Sequence, residues 1–169
     1  MRVNEFGDKK SVAKDTIRSQ EATATIPRGA PVCLNLSGTE DGLGVVLPST
    51  GAAIKAHSLF YGICDRDLTP NRRGEANVFG MCDYTKIVKH SRAASTVTWA
   101  SKAAVAIGQL LQVDTVHNAM KTQASIGASN FLPVAVIGEA IASQASSATA
   151  TSDTRTVIFD YLKAFLRAL

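Results

Sequence analysis

Short segments rich in Val, Ile and Leu recur along most of this chain, and residues that favour turns separate them. Gly, Pro, Asn, Asp and Ser fill these breaks. Many short strands at such spacing favour an all-β barrel or sandwich over a parallel α/β fold. The predicted strands span residues 32–36, 44–47, 59–64, 76–81, 85–90, 96–100, 109–113, 134–141 and 155–162.

The length of 169 residues suits one domain with extensions, and we predict three parts. Residues 1–26 form a polar N-terminal arm with too few apolar residues for a core, so contact with a partner is expected to order it. A disordered leader without a role is the alternative for this arm. Residues 27–162 form the β-barrel domain, and residues 163–169 form a short C-terminal helical tail.

The helical prediction for the tail rests on Leu162, Phe165, Leu166 and Leu169, which fall on one stripe at helical spacing. A helix this short is marginal alone, so we expect it to be ordered only when docked. Its own barrel and a neighbouring subunit are the two candidate docking sites.

The charge and cysteine content limit the classes of partner. The net charge is +4, but the basic residues are scattered singly or in pairs, so direct nucleic-acid binding is not expected. The sequence shows neither a signal peptide nor an apolar stretch of about 20 residues, so no membrane partner is expected. Cys33, Cys64 and Cys82 are therefore predicted to be reduced and buried, in a protein made in the cytosol.

No pattern of catalytic, cofactor-binding or metal-binding residues emerges, so the chain is not expected to be an enzyme. His57, His90 and His117 lie far apart and lack metal-ligand spacing. The Asp65-Arg66-Asp67 run resembles a divalent-ion site, but a polar turn explains it better. Trp99 is predicted to pack in the core or at a trimer axis.

Six segments in fixed order carry a family resemblance. They are GAPVCL at 29–34, FYGICD at 60–65, GEANVFG at 74–80, GQLLQV at 108–113, VIGEA at 136–140 and TVIF at 156–159. In this order they resemble the small β-barrel decoration, or cement, proteins of tailed-bacteriophage capsids, over residues 27 to about 160. The long arm, an insertion at 115–132 and the extension at 161–169 depart from the family pattern.

The resemblance implies a protein that binds the outer surface of an assembled capsid, often as a homotrimer, and bridges neighbouring major-capsid subunits. The expected partners are thus the major capsid protein and further copies of this chain, and the expected location is the outside of the virion. The arm and tail supply the candidate contact residues, which are Arg2, Phe6, Lys9, Lys10, Arg18, Tyr161, Phe165, Leu166 and Leu169. Deleting residues 1–20 is expected to leave a folded barrel that attaches more weakly.

Two alternatives remain open on the sequence. One is another virion component, at the tail or the head–tail junction, for which a ring of six or twelve copies is expected. The other is a small ligand-binding or enzymatic barrel, in which His57 or His117 meets a cysteine in a deep pocket.

Overall fold

The fold is all-β, as predicted, in a computed structural model that describes residues 13–36, 44–48, 59–92, 98–99, 104–123, 135–140, 142–143, 145, 147–148 and 155–166. None of these residues is helical. The strands in chain order are β1 (Ala13–Ser19), β2 (Pro31–Leu34), β3 (Gly44–Val46), β4 (Phe60–Cys64), β5 (Arg73–Ser91), β6 (Thr98–Trp99), β7 (Leu110–Asp114), β8 (Ala119–Gln123), β9 (Ala135–Ile137), β10 (Ser147–Ala148) and β11 (Val157–Leu166).

Five strands close into a mixed barrel in the order β1, β3, β2, β4, β5. The neighbouring strands are antiparallel except for β1 and β3, which run parallel. Pairing of β1 with β5 completes the ring, with Ile17 opposite Gly74. The barrel interior is apolar and is filled by Ile17, Ile26, Ala30, Val32, Val45, Cys64, Leu68 and Ala76. Because the ring is closed, each of the five strands has a neighbouring strand on both sides where its residues pair. This closure protects the strands from association with the edge of another sheet.

Strands β2 and β4 are buried on both faces, and this explains their nearly continuous apolar sequences. Successive residues on a strand point to opposite faces. Val32 and Cys64 therefore face the barrel interior, whereas Cys33 and Ile63 belong to a second core on the other side. A strand covered on both sides has little room for polar residues, which is why these segments stand out in the sequence.

The second core is built by the remaining large strands around the far half of β5. Strands β11, β9, β7 and β8 follow β5 in the sheet, and a parallel bridge between Ile87 and Met120 joins β8 back to β5. The buried residues of this core are Cys33, Phe60, Ile63, Cys82, Ile87, Val105, Leu111, Val113, Met120, Ala135, Ile137, Ala164 and Leu166. Strands β6 and β10 form a separate two-stranded sheet.

Strand β5 is one strand of 19 residues where the sequence predicts two strands, at 76–81 and 85–90. Its first part pairs with β1 and its second part with β11, and the partner changes between Phe79 and Gly80. Gly80 has a φ of 92°, a conformation that L side chains rarely adopt. The polar residues near Asp83 look like a turn in the sequence, but continuous pairing with β11 keeps them in the strand.

The structure places half of the predicted arm inside the fold. Residues 13–19 form β1 of the barrel, where Ile17 and Ser19 are buried, and Ile26 makes an isolated bridge with Leu68. The apolar residues of this segment are sparse because only one face of β1 is buried. Residues 1–12 of the predicted arm lie outside the described residues.

The predicted C-terminal helix is wrong over the residues that the structure describes. Residues 163–166 are the end of β11, a strand of ten residues, and residues 167–169 lie outside the described part. Leu162, Ala164 and Leu166 alternate with exposed residues, so the true period is two. A short apolar segment can match the helical period of 3.6 residues as well as the strand period of two. Antiparallel pairing with residues 80–91 of β5 makes this segment a strand.

Two strands besides β1 were not predicted. Strand β8 lies in the segment read as an insertion at 115–132, and it forms a hairpin with β7 in which Leu110 pairs with Gln123. Strand β10 lies in an Ala/Ser/Thr-rich stretch between the predicted strands 134–141 and 155–162, and its Ser147 pairs with Trp99. Both strands have compositions with weak strand preference, so their pairing partners determine their conformation.

Deletion of the N-terminal residues is expected to show a sharp boundary at Ala13. Removing residues 1–12 leaves every described strand in place, so this variant should still unfold in one cooperative transition. Removing residues 1–20 takes away β1, opens the barrel and exposes its core, so this variant should not fold cooperatively. Urea unfolding followed by circular dichroism tests both, and a cooperative transition in the longer deletion would contradict the role of β1. The expectation that residues 1–20 are dispensable for folding is revised accordingly.

Candidate partner-binding surface

The exposed face of β11 carries large side chains that the fold leaves uncovered. Tyr161, Lys163 and Phe165 alternate along the strand and are all exposed, while Ala164 and Leu166 between and beyond them are buried. Tyr161 is 42% exposed and Phe165 is 39% exposed. Large apolar side chains grouped on one face are more informative than single exposed ones, because such groups often mark binding surfaces.

An aromatic residue of β5 extends this face at the end of β11. The rings of Phe79 and Phe165 meet edge to face, with centroids 5.9 Å apart and an interplanar angle of 70°. Phe79 is 43% exposed. The pair forms because Phe165 lies opposite Met81, two positions along β5 from Phe79. This diagonal separation is within the reach of aromatic side chains.

A second aromatic pair lies further along the same two strands. The rings of Tyr84 and Tyr161 stack with centroids 4.5 Å apart and an interplanar angle of 18°. The guanidinium carbon of Arg28 lies 4.1 Å from the centroid of the Tyr84 ring. Both rings are thus held in place by favourable contacts. Burial, followed by the electrostatic effects of the neighbouring Tyr84 and of the Asp67 carboxylate, raises the pKa of Tyr161, so its hydroxyl stays protonated.

A lysine contacts the aromatic ring nearest the start of β11. The ammonium nitrogen of Lys86 lies 4.0 Å from the centroid of the Phe159 ring. Lys86 is only 9% exposed, and burial lowers its pKa. We call the set of Phe79, Tyr84, Phe159, Tyr161 and Phe165 the aromatic strip. Arg28, Lys86 and Lys163 are its associated cations.

The structure divides the residues proposed for partner binding in the tail. Tyr161 and Phe165 lie in the aromatic strip, where they are accessible. Leu166 is fully buried in the second core, since it points to the opposite face of β11, and it serves folding there. Leu169 lies outside the described residues.

The arm residues proposed for partner binding are divided in the same way. Arg18 lies on β1 within the barrel, opposite Gly44 and Arg73, and is partly buried. The other four, which are Arg2, Phe6, Lys9 and Lys10, lie outside the described residues. Residues 1–12 join the described chain at Ala13, which pairs with Phe79 of the strip. Leu166 pairs with the next residue, Gly80, so the arm and the tail both join the fold beside the strip.

Sequence reasoning missed most of the strip. Phe79, Tyr84, Phe159 and the cation Lys86 were not singled out, because they are spread over two strands whose pairing the sequence does not reveal. A usable signal was present in β11, where Phe159, Tyr161, Lys163 and Phe165 occur at every second position. Such alternation indicates a half-buried strand. A helical interpretation of the same residues concealed it.

The residues weighed for metal or acid–base chemistry are engaged in structural contacts. A carboxylate oxygen of Asp65 lies 2.9 Å from the ammonium nitrogen of Lys14, and the Asp67 carboxylate accepts a hydrogen bond from the backbone N–H of Arg28. Burial favours the neutral form of Asp65, but the hydrogen bond and charge of Lys14 outweigh it and lower its pKa. Both carboxylates thus contact residues that are distant in the chain, and residues 65–67 lie between β4 and β5. The described residues contain no group of three or more His, Cys, Asp or Glu placed to hold a metal ion.

Two of the three histidines lie in the described part of the chain, and each has a side-chain neighbour there. The Nδ1 atom of His117 lies 2.7 Å from the carboxylate of buried Asp114, in the turn between β7 and β8. His90 is buried with its ring 6.2 Å from that of Trp99, and Trp99 is 5% exposed, in agreement with a packing role. His57 lies outside the described residues.

One cavity of about 330 Å³ lies next to the strip. It is lined by Lys14, Arg28, Cys64, Asp65, Asn77, Met81, Cys82, Asp83 and Tyr84.

All three cysteines are buried as free thiols, as predicted. Burial raises the pKa of Cys33 to about 12 and that of Cys64 to about 11, which makes both thiols poor nucleophiles at neutral pH.

Comparison with known proteins assigns no family to the chain. No protein-family model matches it, and no curated protein sequence matches it. Among the described residues, no helix is long and apolar enough to cross a membrane. The chain is a small all-β protein with a closed, mixed barrel of five strands.

Proposed function

We propose that this protein is a virion structural protein that binds the outer surface of a phage capsid and bridges major-capsid subunits, as a decoration or cement protein. The observation that carries the proposal is the aromatic strip. Three of its rings are about two-fifths exposed, and residues 1–12 and 167–169 join the fold beside it. Grouped aromatic side chains with nearby arginine are the composition of binding hot spots.

The physical logic of the function does not require a reactive centre. A pressurised shell fails at the joints between capsomers, and a molecule that spans a joint adds an interface at that place. In a homotrimer, each copy contributes one strip, so the second and third contacts form at a high effective concentration. The closed barrel holds each strip in a fixed geometry, which lowers the entropy that attachment costs.

Purified particles of the phage that encodes the chain provide the test. Mass spectrometry should detect the protein in the virion, and electron cryomicroscopy should place it as trimers on the outside of the shell. Particles from a phage that lacks the gene should break at lower temperature or lower osmotic stress, and added protein should restore their resistance. Density in a ring of six or twelve copies at the portal vertex or tail would overturn the proposal in favour of a junction component.

A further inference from the structure

Lys86 is a nine-tenths buried cation without an anionic partner. It is 9% exposed, and its ammonium group contacts the Phe159 ring but forms no ion pair with any described residue. A buried charge is costly unless it is paired, and a cation–π contact compensates only part of that cost. An anion that reached this ammonium group would therefore gain more than one that paired with an exposed lysine.

The two other cations at the strip are also free of carboxylate partners in the described part of the chain. The guanidinium of Arg28 stacks on Tyr84, and Lys163 is exposed on β11. Nearby acids are already engaged. Asp160 lies 3.1 Å from the ammonium group of Lys89, and Asp67 accepts the Arg28 backbone N–H. The strip therefore combines exposed apolar rings with unpaired positive charge.

We infer that the strip binds an acidic, apolar segment of the capsid protein, with a partner carboxylate pairing with Lys86. This inference rests on the proposed function and names the chemistry of its partner. The positive charges of the strip favour an acidic side chain in the partner segment. The exposed rings of Phe79, Tyr161 and Phe165 favour apolar side chains next to that acidic residue. Docking would exclude water from the ion pair, so removal of either partner would leave an unpaired buried charge and would be costly.

A nucleic-acid strand fits the strip less well. Binding of single strands depends on bases that stack on free aromatic faces. Arg28 and Tyr161 lie against Tyr84, and Lys86 covers a face of Phe159. A single ammonium group on a largely buried side chain suits one carboxylate on a flexible side chain better than a continuous phosphate backbone.

Substitution of Lys86 tests the inference on the full-length protein. Lys86→Met removes the charge and keeps the length, Lys86→Arg keeps the charge, and Lys121→Met removes an equal charge on β8, outside the strip. The readout is occupancy of gene-deleted phage particles against protein concentration, with urea unfolding as the control for folding. Lys86→Met should weaken attachment on the order of 30-fold, since losing one partner of a buried charge pair costs that much or more. Lys121→Met should change it less than about threefold, and Lys86→Arg should retain more affinity than Lys86→Met.

A second measurement separates the inference from the capsid proposal. The isotope-labelled protein is titrated by NMR with an acetylated pentapeptide that alternates Leu and Phe with Glu and Asp, and with its Gln/Asn counterpart. The acidic peptide should shift the signals of Lys86 and Tyr161 and bind about tenfold or more tightly than its neutral counterpart. Lys86→Met should abolish that preference.

The outcomes are distinguishable. Attachment of Lys86→Met to particles at wild-type affinity would overturn the inference and leave decoration standing. If the wild-type protein does not bind particles but prefers the acidic peptide through Lys86, decoration fails and carboxylate recognition stands. Preferential binding of a single-stranded oligonucleotide, or self-association that depends on Lys86 without peptide binding, would overturn the inference in favour of a nucleic acid or a second copy.

Discussion

Leu166→Ala is expected to lower the free energy of unfolding by about 2–5 kcal/mol, whereas Phe165→Ala should lower it by no more than about 1.5 kcal/mol. Leu166 is fully buried in the second core, so its truncation leaves a cavity. Phe165 is 39% exposed and loses mainly its edge contact with Phe79. The loss at Leu166 is a large fraction of the ~5–15 kcal/mol that a domain possesses.

Urea unfolding of the two variants measures both values, and attachment to particles supplies the second readout. Phe165→Ala should reduce attachment about tenfold, because it removes an exposed ring from the strip. Leu166→Ala should reduce attachment only to the extent that the protein unfolds. The comparison also separates a strand from a helix, since the two residues lie on one stripe of a helix but on opposite faces of a strand. Equal destabilisation by both substitutions would contradict the assignment of β11.

Gly62→Ala is expected to lower the free energy of unfolding by about 2–4 kcal/mol. Gly62 lies on β4, where a Cβ atom would approach the backbone carbonyl oxygen of Asn77 on β5 to 2.4 Å. Neighbouring Ile63 pairs with Asn77, so relief of the clash would separate β4 from β5. The substitution would thus strain the closed barrel at one of its joints.

Gly74→Ala is the matched control for this substitution. Gly74 lies on β5, and its nearest contact for a Cβ atom is the Cδ1 atom of Leu68 at 3.0 Å. The end of a leucine side chain can move, and alanine reduces the entropy of the unfolded chain, so the net change should stay within about 1 kcal/mol. Thermal and urea unfolding of both variants measure the two changes in the free energy of unfolding. A Gly62→Ala transition that coincides with that of Gly74→Ala would show that β4 and β5 are less closely packed than described.

Both pairs of substitutions are expected to affect attachment to particles, because the strip depends on strands that they alter. Its rings come from β5 and β11, and β5 also closes the barrel with β1 and β4. Damage to the barrel at Gly62 is therefore expected to weaken attachment through loss of the folded protein. Damage at Phe165 is expected to weaken attachment with folding nearly intact.

The aromatic strip depends on a pairing that local sequence does not encode. Tyr84 and Tyr161 are 77 positions apart in the numbering, and they stack because β5 and β11 pair with bulges between Ile158 and Phe159 and between Leu162 and Ala164. A bulge shifts which residues share a face. Sequence patterns identify the two strands separately, but the register between them follows from long-range packing.

Several features followed from the sequence by itself. Gly62 and its apolar neighbours in the segment 60–64 mark a strand because a short apolar run between turn residues fits a buried strand. The end of the strand before Asp65-Arg66-Asp67 and the buried thiol of Cys64 followed from the local preferences of those residue types. These properties depend on a few neighbouring residues, so a local pattern suffices.

Other features were decided only by the tertiary structure. Ile17 is in a barrel strand and Leu166 ends another, although the sequence suggested an arm and a helix. Each segment buries too little apolar surface to choose its conformation alone, and pairing with β5 supplies the missing hydrogen bonds and contacts. The unpaired ammonium group of Lys86 arises in the same way, since its burial requires strands that are distant in the chain to pack around it.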